Sequence, residues 1–451
     1  MEQIRIDLRA VLDDGPLRFV QVQVALLSFL AVLVDGFDTQ AIGYIAPALV
    51  ANWHVARASL GAVFASGLIG VTFGALLLGP ASDRWGRKPV LVLSLAWFGA
   101  FSLASAAAGS PHALLLLRFL TGLGLGGVMP IAIALTAEYT PARFRATFVM
   151  AMLCGFSLGA AFGGVLAAAV VAAFGWRMVL VVGGAAPLML VPILIVCLPE
   201  SLQFLATRRA SPARIRAVIT RFLPAGVTPE AVVLPTPDPD ARHFPVAALF
   251  ARGRRLTTVM LWVIFFSSLC DLYLISNWLP LLLGEAGFSA HSAVLVATLF
   301  QIGGTVGTLL LGRAIDLARP FVVLMIVYLT AALCVSALGW SVGMGVAAAA
   351  ATVFFAGFCV VGGQIGANAL AGRVYPTSMR VTGVGWALGV GRIGSIVGPS
   401  LAGVLMLLHW DATHIFLLGA VPLALAALAA SVIHWSAAAP AVGFIQRGIE
   451  S

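Results

Sequence analysis

Charge is what this sequence has least of. Only 10% of its 451 residues are Asp, Glu, Lys or Arg, against 61% apolar ones, and mean hydropathy is +1.06. A water-soluble domain of that composition would expose large apolar patches, so a soluble enzyme or regulator is excluded. Catalytic and metal signatures are missing too. No HExxH occurs, no Ser/His/Asp grouping stands out, and the seven histidines fall in loops or near the ends of apolar runs. The five cysteines (Cys154, Cys197, Cys270, Cys334 and Cys359) sit in apolar stretches without a CxxC. They read as small packing residues, not as a disulfide or metal framework. A cleavable leader is not expected, because the first apolar segment is long and carries two acids.

What is present is a succession of apolar runs of about 20 residues, each enough to cross a hydrocarbon core of ~30 Å at ~1.5 Å per residue. Backbone groups in lipid must be satisfied within their own segment, which demands helices. About twelve spans are expected, at roughly 22–50, 59–80, 90–109, 112–137, 147–172, 177–197, 256–284, 291–312, 319–340, 343–370, 381–408 and 413–435. The fold class is thus all-α, a membrane protein of two six-helix bundles.

An even number of spans puts both termini on one side. With that side cytoplasmic, the inner segments hold Arg5, Arg9, Arg18, Arg84, Arg87, Lys88, Arg143, Arg145, the Arg208 to Arg255 set, Arg313, Arg319, Arg373, Arg380 and Arg447, leaving only Arg57 and Arg177 outside. That asymmetry obeys the positive-inside rule. It also accounts for the net charge of +9 without a compact basic face, so no nucleic-acid partner is expected. The expected location is an inner, plasma membrane.

Composition changes between Leu198 and Gly253. Arg208, Arg209, Arg214, Arg216 and Arg221 suit a short amphipathic surface helix, and the Pro-rich Leu234–Asp240 suits a flexible linker. The organisation expected is an N-terminal bundle over 1–197, a cytoplasmic linker over 198–253 and a C-terminal bundle over 254–451. The halves repeat each other: Pro141, Arg145 and Thr147 return as Pro376, Arg380 and Thr382, each 235 positions on, and Gly79 and Asp83 return as Gly312 and Asp316, each 233 on. Parallel repeats of six helices that rock about a central site are a transporter architecture.

The loop Gly79-Pro80-Ala81-Ser82-Asp83-Arg84-Trp85-Gly86-Arg87-Lys88-Pro89 resembles the signature of the major facilitator superfamily, and the likeness covers nearly the whole chain. Within it, Asp35-Gly36-Phe37-Asp38-Thr39, Arg118-Phe119-Leu120-Thr121-Gly122 and Pro199-Glu200-Ser201 resemble the aromatic acid:proton symporters, with similar elements in the sugar porters. The resemblance implies proton-coupled import of an aromatic carboxylate by alternating access, with no cofactor beyond the proton. A proton-coupled sugar or polyol porter is the nearest alternative. A membrane-embedded enzyme is a more distant one, and the chain is expected to be no enzyme.

Carboxylates at membrane depth are costly and by default functional. Asp35 and Asp38 lie three residues apart on one helical face, where burial and mutual repulsion disfavour double ionisation, as a proton-coupling group requires. Asp38 is the first choice and Asp35 the second. Arg118, about seven residues or ~10 Å inside its span, is placed to pair with Asp38; the other reading is a snorkelling residue. Arg392 lies about twelve residues or ~18 Å deep, and its fork matches a carboxylate, so it is the expected anchor of the substrate anion. The other reading is a structural pair with Asp271. Neither arginine recurs in the opposite half, where Arg118 maps to Val353 and Arg392 to Ser157.

Other candidates for the substrate cavity are Phe37, Gln40, Tyr44, Asp271, Tyr273, Asn277, Trp278, Gln301, Gln364, Asn368 and Trp386, with core or lipid packing the competing role for each aromatic. The cytoplasmic loops suit a gate. By resemblance Asp83, Arg84, Gly86, Arg87 and Lys88 form a latch, Glu138, Arg143 and Arg145 supply partners, and Asp316 and Arg380 stand at the repeated positions. Beyond substrate, protons and lipid no partner is expected, and the chain is expected to be a monomer.

Overall fold

The computed structural model describes residues 6–7, 13, 16–201, 204–205, 232–233, 249–251, 254–375 and 380–438. Among these run twelve long helices: α1 (Phe19–Trp53), α2 (Ser59–Trp85), α3 (Arg87–Ala106), α4 (Pro111–Tyr139), α5 (Arg145–Phe174), α6 (Trp176–Cys197), α7 (Arg255–Glu285), α8 (Ala290–Leu317), α9 (Pro320–Ser341), α10 (Val346–Val374), α11 (Arg380–Leu407) and α12 (Ala412–Ala438). Every one is long and apolar enough to cross a membrane. Ile6–Asp7 and Val232–Val233 pair in parallel as a two-residue bridge. The surface helix expected around Arg208–Arg221 and the Pro-rich run 234–240 lie outside the described residues.

Local chemistry sets the helix ends. Ser110 caps α4 by accepting the Ala113 N–H, and Pro111 opens the helix where its missing N–H costs nothing. Ser289 caps α8 in the same way. A single residue, Gly86 at φ 107°, turns α2 into α3, a backbone state that side chains resist. The first helix spans 35 residues, well beyond the sequence-based 22–50, because nothing in Phe19–Trp53 breaks it except Pro47.

By compactness the chain divides into two units. The first comprises 1–41, 66–163 and 173–241; the second comprises 42–65, 164–172 and 242–451. In the first, α3 packs on α4 and α6 around Leu91, Leu95, Phe98, Leu125, Leu135, Tyr139 and Leu194. Glycines permit close helix approach: a side chain at Gly36 would strike the Phe156 carbonyl, and one at Gly159 that of Leu33, so α1 and α5 meet backbone to backbone.

In the second unit α7 pairs with α11, α8 with α10 and α9 with α12. Gly394 and Gly398 of α11 rest against the carbonyls of Phe266 and Cys270 on α7. This unit also contains the turn between α1 and α2. Gly61 lies against Gly403, Gly43 against Ser276 and Asn277, and Arg57 pairs with Glu285 at 2.7 Å. Large side chains such as Leu76, Val196, Leu333 and Leu428 are at least 60% exposed, a surface suited to lipid and not to water.

Candidate functional site

In the first unit α1 carries Asp38 into the packed interior, fully buried. Its place is made by small residues: a Cβ at Gly183 of α6 would come within 3.3 Å of Asp38 Oδ1, and the neighbouring Phe37 ring fills the space beside Gly163 and Gly183. From α4, Arg118 donates through Nη2 to Asp38 Oδ2 at 2.8 Å, through Nη1 to Oδ1 at 3.4 Å, and through Nη2 to the Asp38 carbonyl at 3.2 Å. From α3, Ser102 Oγ donates to Oδ1 at 2.5 Å. Arg118 is only 3% exposed, so the snorkelling reading gives way to a buried pair. Asp35 has a separate environment, accepting from Thr39 Oγ1 at 3.1 Å.

A fork-shaped contact of this kind is strong because both charges are desolvated, and breaking one side leaves the other stranded at a cost of ~3–5 kcal/mol. The pair therefore ties α1 to α4 while Asp38 is ionised. A proton on Asp38 removes the charge that holds Arg118 in place. Such a cluster has two states of very different internal energy, which is the raw material of a proton-sensitive switch.

The loop between α2 and α3 carries a second polar network. Arg87 forms an ion pair with Glu138 of α4, and lies 3.9 Å from Asp83, which is 74% exposed along its side chain. Glu200, placed after α6, accepts the N–H groups of Arg87 at 2.9 Å, Lys88 at 3.1 Å and Ser201 at 2.8 Å. It thus neutralises the amino-terminal dipole of α3. Tyr139 donates to the Glu200 carbonyl, Ser201 donates to Glu138 Oε2 at 2.7 Å, and Lys88 Nζ reaches the Ile195 carbonyl at 2.7 Å. Arg145 lies 4.0 Å from Asp13. The side chains of Asp316 and Arg380 lie outside the description.

Glu200, Ser201, Tyr139 and Asp13 had no assigned role in the sequence reading. The signal for the first two was Pro199-Glu200-Ser201, quoted for its resemblance alone; its physical sense is a cap delivered from 113 residues away.

The remaining candidates belong to the second unit, except Phe37 and Gln40, both buried in the first. Trp278, a cavity candidate with packing as its other reading, is fully buried, donates Nε1–H to the Pro399 carbonyl at 3.0 Å and makes a T-shaped contact with Phe64 at 5.1 Å, so its ring and its polar handle are engaged in packing. Asn277 is buried beside Gly43, and Tyr44 beside Thr298 and Gly164. Gln301 donates to Ser276 Oγ at 3.2 Å. Trp386 is 46% exposed and stacks on Trp262 at 6.0 Å.

Several of these candidates keep unused binding capacity among the described residues, Asp271 with both its carboxyl oxygens among them. Arg392, half-buried on α11, makes no ion pair and donates no side-chain hydrogen bond, so the expected alternative of a pair with Asp271 is not formed. Gln364 Oε1 and Asn368 Oδ1, one turn apart on α10, are buried acceptors without donors. No group of three or more His, Cys, Asp or Glu is arranged to hold a metal ion among the described residues.

The model of the Major Facilitator Superfamily matches residues 28–351 and 261–448. The 4-hydroxybenzoate transporter PcaK of Pseudomonas putida is 43% identical over 93% of this chain and 94% of its own length. The gallate transporter of the same organism is 39% identical over 94% of each, and the 3-(3-hydroxy-phenyl)propionate transporter of Escherichia coli (strain K12) is 36% identical over 90% and 92%. Among solved structures the D-xylose-proton symporter superposes with a TM-score of 0.69 over 91% of this chain and 97% of its own, at 19% identity, a likeness of fold alone. The chain belongs to the Major Facilitator Superfamily and, within it, to the aromatic acid:H+ symporter family.

Proposed function

We propose that this chain imports hydroxylated aromatic carboxylates together with protons, by alternating access across an inner membrane with both termini in the cytoplasm. The observation that carries the coupling is the buried Asp38–Arg118 pair at 2.8 Å with Ser102 on its other oxygen. The substrate class is supported by relatives named for 4-hydroxybenzoate, gallate and 3-(3-hydroxy-phenyl)propionate. The proton is the only coupling agent, no cofactor is needed, and one chain is the transporting unit.

Protonation of Asp38 removes the charge opposite Arg118 and leaves it only neutral acceptors, the Asp38 carbonyl among them, so the neutral form favours a conformation in which the guanidinium meets water. Ionised Asp38 restores the fork. Substrate and proton are coupled because each binds the two conformations with different affinity. Arg392 meets the carboxylate through a planar fork, and a substrate anion would compensate a charge that has no partner among the described residues. Gln364 and Asn368 offer acceptors to a ring hydroxyl. Residues 1–197 and 254–451 act as the rocking halves and 198–253 as their tether, while the Arg87, Glu138 and Glu200 network serves as the cytoplasmic latch. An uncharged sugar would leave Arg392 uncompensated, which disfavours the sugar-porter reading.

The test is uptake by purified protein in proteoliposomes. Labelled 4-hydroxybenzoate should accumulate when the outside is acid, and xylose and neutral ring analogues should neither accumulate nor compete. Equal competition by xylose, or uptake indifferent to the pH gradient, would reject the reading.

A further inference from the structure

Asp271 is a buried acid that the coupling scheme above leaves idle. It lies in the middle of α7, is fully buried, and neither carboxyl oxygen has a hydrogen-bond partner among the described residues. The repeat explains how it came to be there. Asp271 follows Asp38 by 233 positions, Gly419 follows Gly183 by 236, Val335 follows Ser102 by 233, and Val353 follows Arg118 by 235.

The correspondence holds in space. A Cβ at Gly419 of α12 would come within 3.4 Å of Asp271 Oδ1 and 3.6 Å of Val335 on α9, just as one at Gly183 would come within 3.3 Å of Asp38 Oδ1. Each half therefore builds the same recess for a carboxyl between its first, third and sixth helices. In the first half the recess also holds a hydroxyl and a guanidinium. In the second half valines stand at both positions, and Val335 and Val353 are fully buried.

Among the described residues no cation pairs with Asp271 in place of the missing arginine. The neighbouring helices present Gly419 from α12, whose ionisable groups His414 and His434 lie towards its two ends, and Val335 from α9, with Cys334 beside it and Tyr328 two turns away. On α11 the ionisable groups are Arg392, which makes no ion pair with Asp271, and Arg380 at the first position; on α10 they are Cys359 and, at the far end, Arg373, and on α8 His291, Arg313 and Asp316 near the ends. Cys270 adjoins it on α7 itself. An ionised carboxylate fully buried without a paired cation or hydrogen-bond donor is not sustainable, so the recess accommodates the neutral acid.

We propose that Asp271 is a second proton-binding site, loaded in this conformation and emptied into water when α7 moves. Loading forms one O–H bond on the carboxylate, and emptying returns that proton to solvent. The route to water is built in: Trp278, two turns along the same helix, and Asn277 are covered by the adjoining ends of α1 and α2 through Gly43, Gly61 and Phe64, so withdrawal of those ends uncovers α7 about 10 Å from Asp271. The inference rests on the reading of the chain as a proton-coupled transporter. It makes the stoichiometry two protons for each monoanion, one at Asp38 and one at Asp271, and transport electrogenic.

Steady-state accumulation of 4-hydroxybenzoate in proteoliposomes at fixed pH gradient, with and without an inside-negative potential, reads this directly. One net charge makes about 60 mV worth about tenfold in accumulation. The wild type should show that response, Asp271→Asn should retain pH-driven uptake and lose it, and Asp271→Glu should restore it. A wild type indifferent to potential, or an Asp271→Asn response equal to that of the wild type, would overturn the proposal while leaving aromatic-acid import intact. Infrared difference spectra between mildly acid and alkaline buffer need no substrate. They should show a carboxylic-acid band that titrates in the wild type and is absent from Asp271→Asn, and a band that never titrates would reduce Asp271 to a permanent neutral packing group. Were 4-hydroxybenzoate not transported at all, the functional reading would fail and the infrared result would still decide the proton site.

Discussion

Asp38→Asn is the perturbation that isolates the coupling step. The amide has the shape of the neutral acid, and its oxygen can still accept from Ser102, which donates at 2.5 Å in the native protein. Arg118 keeps the Asp38 carbonyl at 3.2 Å but loses the opposite charge at 2.8 Å. A buried charge deprived of its partner costs ~3–5 kcal/mol, and a retained hydrogen bond to a charged donor offsets ~1.5–3 of that, so a bias of ~1–3 kcal/mol is expected against the conformation seen here. That is about tenfold to a hundredfold in the conformational equilibrium, enough to hold the protein in the state normally reached by protonation. Substrate counterflow, which needs no net proton movement, should persist. Accumulation driven by a pH gradient should lose the factor of about ten per pH unit that one coupled proton supplies. Undiminished accumulation by Asp38→Asn would refute the assignment, whatever its effect on stability.

Other perturbations separate anchor, latch and scaffold. Arg392→Ala should raise the concentration of 4-hydroxybenzoate needed for half-maximal uptake at least tenfold while membrane insertion is unchanged; unaltered uptake at low substrate would remove Arg392 from the site. Glu200→Gln weakens two N–H contacts at the start of α3 and a third from Ser201 at once, at ~1–2 kcal/mol in all, and should lower the midpoint of thermal unfolding in detergent with little change in substrate affinity. Trp278→Ala removes a fully buried indole from between Phe64 and Pro399 and should cost ~3–5 kcal/mol, whereas a ligand-facing tryptophan would lose affinity and keep its stability.

What the sequence revealed, and what it did not, follows from the physics of lipid-bathed helices. The twelve spans were legible because length and apolarity are properties of the chain itself, and the structure places a helix over each. The Asp38–Arg118 pair was legible because depth can be counted along a helix, and two opposite charges at similar depth have few ways to avoid each other. Facing was not legible. Helices such as α5, α9 and α12 are apolar all round, so no stripe reveals which side meets protein, and Trp278 looked as suitable for a cavity as for a core. Glu200 escaped because a helix cap delivered from beyond α6 leaves no local pattern at Gly86 and Arg87. Asp271 was noticed as a charge, but its meaning lay in the absence of partners, which only packing discloses.

The account stands on proton and aromatic anion crossing together. In de-energised proteoliposomes with a pH electrode in lightly buffered external medium, addition of 4-hydroxybenzoate should alkalinise the outside as protons enter with the anion, and Asp38→Asn should diminish the signal for each anion taken up. Entry of labelled 4-hydroxybenzoate without any external alkalinisation would contradict the account.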